Sequence, residues 1–399
     1  MPFALYLLGL AVFAQGTSEF MLSGLVPDIA ADVHVSLPAA GLLTSAFAVG
    51  MIIGAPLMAV ISMQWSQRRS LLTFLTAFLL VHVVGALTPS YEVLLGTRVV
   101  AALANAGFLA VALVTAAGMV APDAKGRATS VLLAGTTIAC VAGVPAGAVL
   151  GQLWGWRSAF WAVALVSVPA VLGILRSVPA SARGAAAPRA RSELRALRRP
   201  RLLVTLLLGA LVNGGTFCAL TYLSPLVTIV AGLGTGWVPV ALALFGAGSF
   251  AGVTVGGRLG DARPLRLLTL GGVALLAGWV ALALVAGSPV ATLGFVVVLG
   301  ALAFAVGSTL IAQALYAATE APALAGAFAT AAFNVGAALG PWSGGVVIAA
   351  GLGYRSPLWV SAALVALALA VGATAHALRR KVPPPRPPGE QRPAAPRPA

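Results

Sequence analysis

Residues 154–161 read WGWRSAFW, and 198 positions later residues 352–359 read LGYRSPLW. Glycine, an aromatic ring, arginine and serine recur in one order: Gly155, Trp156, Arg157 and Ser158, then Gly353, Tyr354, Arg355 and Ser356. The same shift lays residues 63–68 on residues 261–266. Each copy also follows a segment rich in Gly and Pro, GVPAGAVLG at 143–151 and GPWSGG at 340–345. Self-similarity at a fixed shift is the mark of a duplicated unit, so the chain is read as two related halves.

Around both copies the sequence consists of long apolar runs. A helix needs about 20 predominantly apolar residues to cross a bilayer. Runs of that length fall at 3–26, 39–62, 70–88, 92–118, 128–152, 158–178, 202–229, 238–258, 266–286, 290–317, 325–350 and 356–377, six in each half. Gly and Pro inside them suit membrane helices, where neighbouring helices re-satisfy the freed backbone groups. Of 399 residues, 60% are hydrophobic and 8% are charged. A soluble domain carries about 25% charged residues, so this chain has too few to cover a water-facing surface. The expected fold is an all-α membrane protein, twelve transmembrane helices in two pseudo-symmetric six-helix bundles.

The formal charge of +15 raises the question of nucleic acid, and its distribution argues against it. The arginines lie in short clusters between apolar runs and in the tail, with no basic face interleaved with aromatic residues. They read instead as topogenic charge. With the N-terminus inside, Arg68, Arg69, Lys125, Arg127, Arg258, Arg263, Arg266, Arg379, Arg380 and Lys381 are all cytoplasmic. The opposite loops hold Asp28, Asp32 and Glu92, with Arg157 and Arg355 as their basic residues. The expected setting is therefore the plasma membrane, multi-pass, with lipid around the chain and both termini cytoplasmic. The expected division is an N-terminal bundle at 1–178, a cytoplasmic linker at 179–201, a C-terminal bundle at 202–377 and a disordered Pro- and Arg-rich cytoplasmic tail at 378–399. The first run has no basic n-region and no small-residue cleavage site, so it reads as a retained helix. Cys140 and Cys218 sit inside apolar runs without metal-ligand spacing and read as reduced packing residues.

A charge at membrane depth is costly and usually faces a cavity or a partner. Two lie well inside the runs, Glu19 in the first and Arg98 in the fourth. Gln15, Glu19 and Ser23 are spaced four apart and would form one polar stripe on a helix. Burial disfavours the charged form of a carboxyl, which makes Glu19 a candidate proton carrier or a direct contact for a ligand. A fixed, hydrogen-bonded carboxyl bridging two helices is the plainer alternative. Arg98 shares a face with Asn105 across the small Ala102; it would bias a nearby carboxyl or lock its helix to a neighbour. Asn213, Phe217 and Thr221 recur at four-residue spacing in the seventh run, Gln313 lies in the tenth and Asn334 in the eleventh. Amide plus aromatic on one stripe suits an uncharged amphiphilic ligand, and interhelical hydrogen bonding is the alternative for each. His82 in the third run reads as a packing histidine.

Several chemistries find no support. GAGSFA at 246–251 matches a dinucleotide fingerprint but lies mid-run with no strand before it. There is no Walker-type phosphate loop, no paired carboxylates and only three scattered histidines. No enzymatic centre, metal or cofactor is expected.

These residues carry a resemblance. The first run, AQGTSEF at 14–20 and GLVPD at 24–28, resembles the first-helix motif of the major facilitator superfamily's twelve-helix drug:proton antiporters. LLGTRVVAALANAG at 94–107 resembles that group's arginine motif, associated with proton transfer. Gly143, Pro145 and Gly147 resemble its antiporter motif, which implies a structural and gating role. The chain departs from the group between its second and third runs, where SMQWSQRR at 62–69 lacks the usual acid beside Arg68. The counterpart GRLGDARPLR at 257–266 keeps Asp261 with Arg266, so the second half alone would hold that gating latch. Residues 13–28, 42–60 and 125–145 are similar to the actinobacterial chloramphenicol-resistance exporters. The resemblance implies a ligand cavity along helices 1, 4, 7 and 10, where most of the polar residues above fall.

The expected function is proton-coupled antiport exporting a small uncharged amphiphilic antibiotic, with chloramphenicol the expected drug. The partners are then that drug and protons, and the chain is monomeric, driven by the proton gradient. The alternative within transport is a sugar or amino-acid-derived metabolite. A passive channel or receptor would show flux indifferent to a pH gradient, and a membrane enzyme would need a catalytic pair that is not visible.

Overall fold

The structure is a computed structural model that describes residues 2–62, 65–121, 125–178, 199–317 and 325–381. Most of the expected linker, residues 179–198, and the tail from 382 lie outside the described residues, as do the side chains of Lys125, Arg127, Asp261, Arg379, Arg380 and Lys381.

All the described elements are helical, and twelve helices are long and apolar enough to cross a membrane. The first half holds α1 (Phe3–Phe20, resuming as Leu22–Asp32), α2 (Leu37–Ser62), α3 (Gln67–Leu87) and α4 (Tyr91–Gly118). It continues with α5 (Lys125–Ile138, a π-turn at Ala139–Gly143, then Val144–Trp154) and α6 (Arg157–Ser177). The second half begins with α7 (Pro200–Thr221, continued by Leu223–Pro225 and a π-turn at Leu226–Val230). It then runs through α8 (Trp237–Ala262), α9 (Pro264–Val285), α10 (Pro289–Ala317), α11 (Ala325–Ala349) and α12 (Ser356–Lys381). Expected and observed bounds differ by a few residues, and at two helix starts a polar residue caps the end. Ser66 accepts from the Arg69 N–H and Ser90 from the Val93 N–H, each one turn into the helix it opens.

The duplicated segment has one local structure in both halves. Gly155 and Gly353 carry positive φ, 81° and 75°, a region open to glycine at no steric cost. The hydroxyls of Ser158 and Ser356 each donate to the glycine carbonyl three residues back, both at 2.7 Å. Arg157 then donates to the Thr88 carbonyl at the end of α3 (3.1 Å). Arg355 lies beside the end of α9, where a Cβ on Gly287 would sit 2.9 Å from its Nη2. The halves differ at one point. Arg157 also bridges to Asp32, which accepts from Trp156 Nε1 at 3.1 Å, whereas 198 residues on from Asp32 stands Val230.

Each half has its own buried apolar cluster, one built on Leu25, Phe47, Phe78 and Phe160 and the other on Leu223, Leu242, Trp279 and Leu299. Between the halves α2 packs on α11 and α5 on α8. Close backbone approach makes this possible. A Cβ on Gly246 would lie 2.4 Å from the Cys140 carbonyl oxygen, and one on Gly24 would lie 2.9 Å from Leu242 Cδ1 of α8. On the face opposite the chain ends the halves touch. Tyr222 of α7 is 1% exposed and donates to the Pro341 carbonyl (2.9 Å). Its ring fills a socket opened by Gly41 of α2 and Gly344 and Gly345 of α11. Ser45 donates across to the Ala338 carbonyl (2.7 Å) and Gln152 to the Thr235 carbonyl (2.6 Å).

Candidate functional site

Nearer the other face the halves part and leave a cavity of about 410 Å³. Its walls come from α1 and α5 of the first half and from α7, α8, α10 and α11 of the second. The wall residues of α8 and α10 run from Gly246 to Val253 and from Ala303 to Ile311, in the later parts of those helices, on the side where the chain begins and ends. Most of the lining is apolar. Among the described residues Glu19 is the one acid in the wall, and no Lys, Arg or His lines it. No group of three or more His, Cys, Asp or Glu among the described residues is arranged to hold a metal ion.

Glu19 reaches the cavity because α1 breaks just beyond it. The Met21 N–H bonds back to the Thr17 carbonyl (2.8 Å), and the Gly24 N–H takes the Met21 carbonyl only three residues away (3.2 Å). Pro27 removes a further donor from the next turn. The Gly-Pro segment of α5 packs on this break. A Cβ on Gly143 would lie 2.1 Å from Thr17 Oγ1, and one on Gly147 would lie 3.5 Å from the Met21 Cβ. Pro145 is buried in the first turn after the π-turn. Next to Glu19, Phe20 faces Phe217 of α7 across the two halves, ring centroids 5.5 Å apart.

Arg98 does not line the cavity. It is 1% exposed and stands behind α1, where Nη1 donates to Ser18 Oγ and Nη2 to the Ser18 carbonyl, both at 2.8 Å. Its guanidinium stacks on Phe47 of α2, 4.6 Å from the ring centroid. Ser18 Oγ lies 2.6 Å from His82 Nε2, and His82 Nδ1 lies 2.7 Å from the Phe78 carbonyl. No ion pair joins Arg98 to Glu19 within 4 Å among the described residues.

Of the residues singled out by sequence, the cavity gathers Glu19, Asn213, Phe217 and Asn334. The expected stripe of Gln15, Glu19 and Ser23 does not face one space. Gln15 is 1% exposed, with neither amide atom hydrogen-bonded, and Ser23 is buried. Four residues carry a helix about 40° past a full turn, and the break at Met21 ends the phase altogether. Asn105 is buried and donates to Met51 Sδ (3.6 Å); Thr221 is buried with its hydroxyl unpartnered; Gln313 is half-buried outside the wall. The wall implied along helices 1, 4, 7 and 10 is thus corrected: α4 is held by Ser18 and Met51 inside its own half, and α5, α8 and α11 take its place. Arg68 is partly exposed and Arg266 exposed, with no ion pair among the described residues. Sequence reasoning missed Thr136, Thr137, Thr216 and Ser249. The available signal was a hydroxyl pair one to two turns before the Gly-Pro segment of α5.

Twelve membrane-crossing helices, duplicated halves and a central cavity between them define a multi-pass membrane transporter of the two-bundle type. The Major Facilitator Superfamily profile matches residues 8–331, and the chain belongs to that family. It is 58% identical over 374 residues to a chloramphenicol resistance protein of Streptomyces lividans, covering 93% of this chain and 95% of that one. It is 37% identical over 369 residues to the inner membrane transport protein YdhP of Escherichia coli strain K12, covering 92% and 94%. Among solved structures it superposes on a bacterial homolog of the human lysosomal transporter Spinster, in an inward-facing and unoccupied conformation. That match has a TM-score of 0.75, 17% identity and coverage of 96% of this chain and 98% of that one, and it establishes the fold. The family works on small molecules in a membrane setting.

Proposed function

We propose that the protein is a proton-coupled antiporter that exports chloramphenicol or a closely similar uncharged amphiphile. It would sit in the plasma membrane as a monomer with both termini cytoplasmic, driven by the proton gradient without a cofactor. The observation that carries this reading is that Glu19 is the single carboxyl among the described residues of an otherwise mostly apolar cavity between the two halves. An apolar wall with a few polar groups favours an amphiphile over a sugar, and a relative 58% identical across 93% of the chain is a chloramphenicol resistance protein. Drug and proton then compete for one space. Drug enters from the side on which the chain begins and ends, Glu19 releases its proton as drug binds, and after the opposite face opens an external proton displaces the drug.

The test is drug-driven proton movement in everted membrane vesicles. Wild type should move protons when chloramphenicol is added, and Glu19→Gln should abolish that movement while still binding drug. Coupling that persists at the wild-type level in Glu19→Gln removes Glu19 from the mechanism.

A further inference from the structure

The corner between α8 and α9, on the face where the chain begins and ends, gathers positive charge. Arg258 lies near the end of α8, Arg263 is the one residue between the helices, and Arg266 lies in the first turn of α9. At 1.5 Å per residue the outer two stand within about 8 Å of the corner along the helix axes. The backbone fixes the corner: the Arg263 N–H donates to the Leu259 carbonyl (2.8 Å), and the Arg263 carbonyl accepts from the Leu267 N–H (3.1 Å). All three arginines are exposed, and none is in an ion pair among the described residues. Asp261 is the single acid in the stretch 257–266, which keeps a net charge of +2. Apolar side chains stand exposed between the arginines, Leu259 at 50% and Leu265 at 65%.

The other half is not built this way. The repeat places Val60, Trp65 and Arg68 where the second half has Arg258, Arg263 and Arg266. There Arg69 stacks on Trp65, 5.0 Å from the ring centroid, and Arg68 is only partly exposed. Topogenic charge asks for basic residues in a loop. It does not ask for three unpaired guanidinium groups around one corner, interleaved with exposed leucines.

We propose that the α8–α9 corner is a binding site for an anionic phospholipid of the adjoining leaflet. The guanidinium groups pair with the lipid phosphate, which their fork of donors suits. The stems of the arginines lie along apolar surface while their heads reach the headgroup level, and Leu259 and Leu265 meet the acyl chains. A free phosphate would use the arginines and leave the leucines in water, so the pattern favours the lipid. α8 also supplies the cavity wall from Gly246 to Val253, and Arg258 follows little more than one turn later. The lipid therefore fastens a wall of the cavity to the membrane surface.

The test is lipid retention by the detergent-solubilised full chain, read by native mass spectrometry with phosphatidylglycerol and phosphatidylcholine of identical acyl chains in competition. Wild type should retain phosphatidylglycerol in preference, and raising the salt should weaken that preference. Each arginine near an anionic surface is worth about fivefold, so Arg258→Gln/Arg263→Gln/Arg266→Gln should lower phosphatidylglycerol affinity about 100-fold. The matching triple Lys variant should keep the preference, and Arg68→Gln/Arg69→Gln should leave it within about twofold of wild type. Equal retention of the two lipids by wild type, or a preference indifferent to salt, overturns the proposal without any variant. So does an undiminished preference in the triple Gln variant, or an equal loss in Arg68→Gln/Arg69→Gln, which would spread the effect over the whole face. Inorganic phosphate added at equal concentration should not displace the lipid; full displacement would make this a small-anion site and overturn the lipid assignment.

Discussion

Behind Glu19, the direction of each hydrogen bond that holds Arg98 can be derived. The Phe78 carbonyl only accepts, so His82 Nδ1 carries the hydrogen, and the neutral ring leaves Nε2 as a lone pair. Ser18 must then donate to Nε2 and accept from Arg98 Nη1. The chain of bonds ties α4, α1 and α3 together one residue from the cavity acid. His82→Leu removes the acceptor and strands a buried hydroxyl, a loss of about 1–3 kcal/mol. His82→Gln can accept from Ser18 and donate to Phe78, so it should recover much of that. Thermal unfolding of the detergent-solubilised protein checks the order wild type, then Gln, then Leu; equal melting of all three would dismiss the network as incidental. Depth made Glu19 and Arg98 legible in the sequence. Their division of labour was not, because the spacing Gln15, Glu19, Ser23 carries no record of which neighbour each side of α1 meets.

The duplicated turn is where sequence and element correspond most directly. Gly155 has φ 81° and ψ 156°, a combination essentially restricted to glycine and costing other residues about 1–3 kcal/mol. Gly155→Ala should lower the melting temperature accordingly, and a variant as stable as wild type would show that the turn relaxes. Beside this turn Arg157 and Trp156 donate to Asp32, and the Arg157 bond holds its carboxyl below the usual carboxylate range. Those bonds stabilise the fold above the ordinary Asp value of about 4 and are lost as pH falls through the lower folded-state value. Asp32→Asn should therefore be less stable than wild type at neutral pH, by no more than about 1 kcal/mol for so exposed a pair. That difference should vanish in acid, as melts across pH would record. The runs, their number and the repeat were readable because apolar length and Gly-Arg-Ser order survive in one dimension. Cavity membership of α8 was not, since a hydroxyl that bonds its own helix, like Ser249, leaves no mark in composition.

At the scale of the molecule, the two halves meet on one face and part on the other, and the meeting face is built around Tyr222. A Cβ on Gly41 would lie 2.4 Å from its hydroxyl. Gly41→Leu should wedge that face apart, and adding Tyr222→Ala should restore closure by vacating the socket. With Ser45→Cys as a reporter in a background lacking Cys140 and Cys218, labelling by a membrane-impermeant thiol reagent should rise in the first variant and fall back in the second. Unchanged labelling in Gly41→Leu would mean that the socket does not hold the face shut.

The described contacts that close this face share a property: they join neutral groups. Tyr222 meets glycines, Ser45 and Gln152 meet carbonyls, and the one ion pair among the described residues, Arg157–Asp32, lies within a single half. Mobile ions screen charges but have little hold on packing or on neutral hydrogen bonds. Closure should accordingly be indifferent to ionic strength, and the same seal would serve a cell in dilute rainwater or in brine.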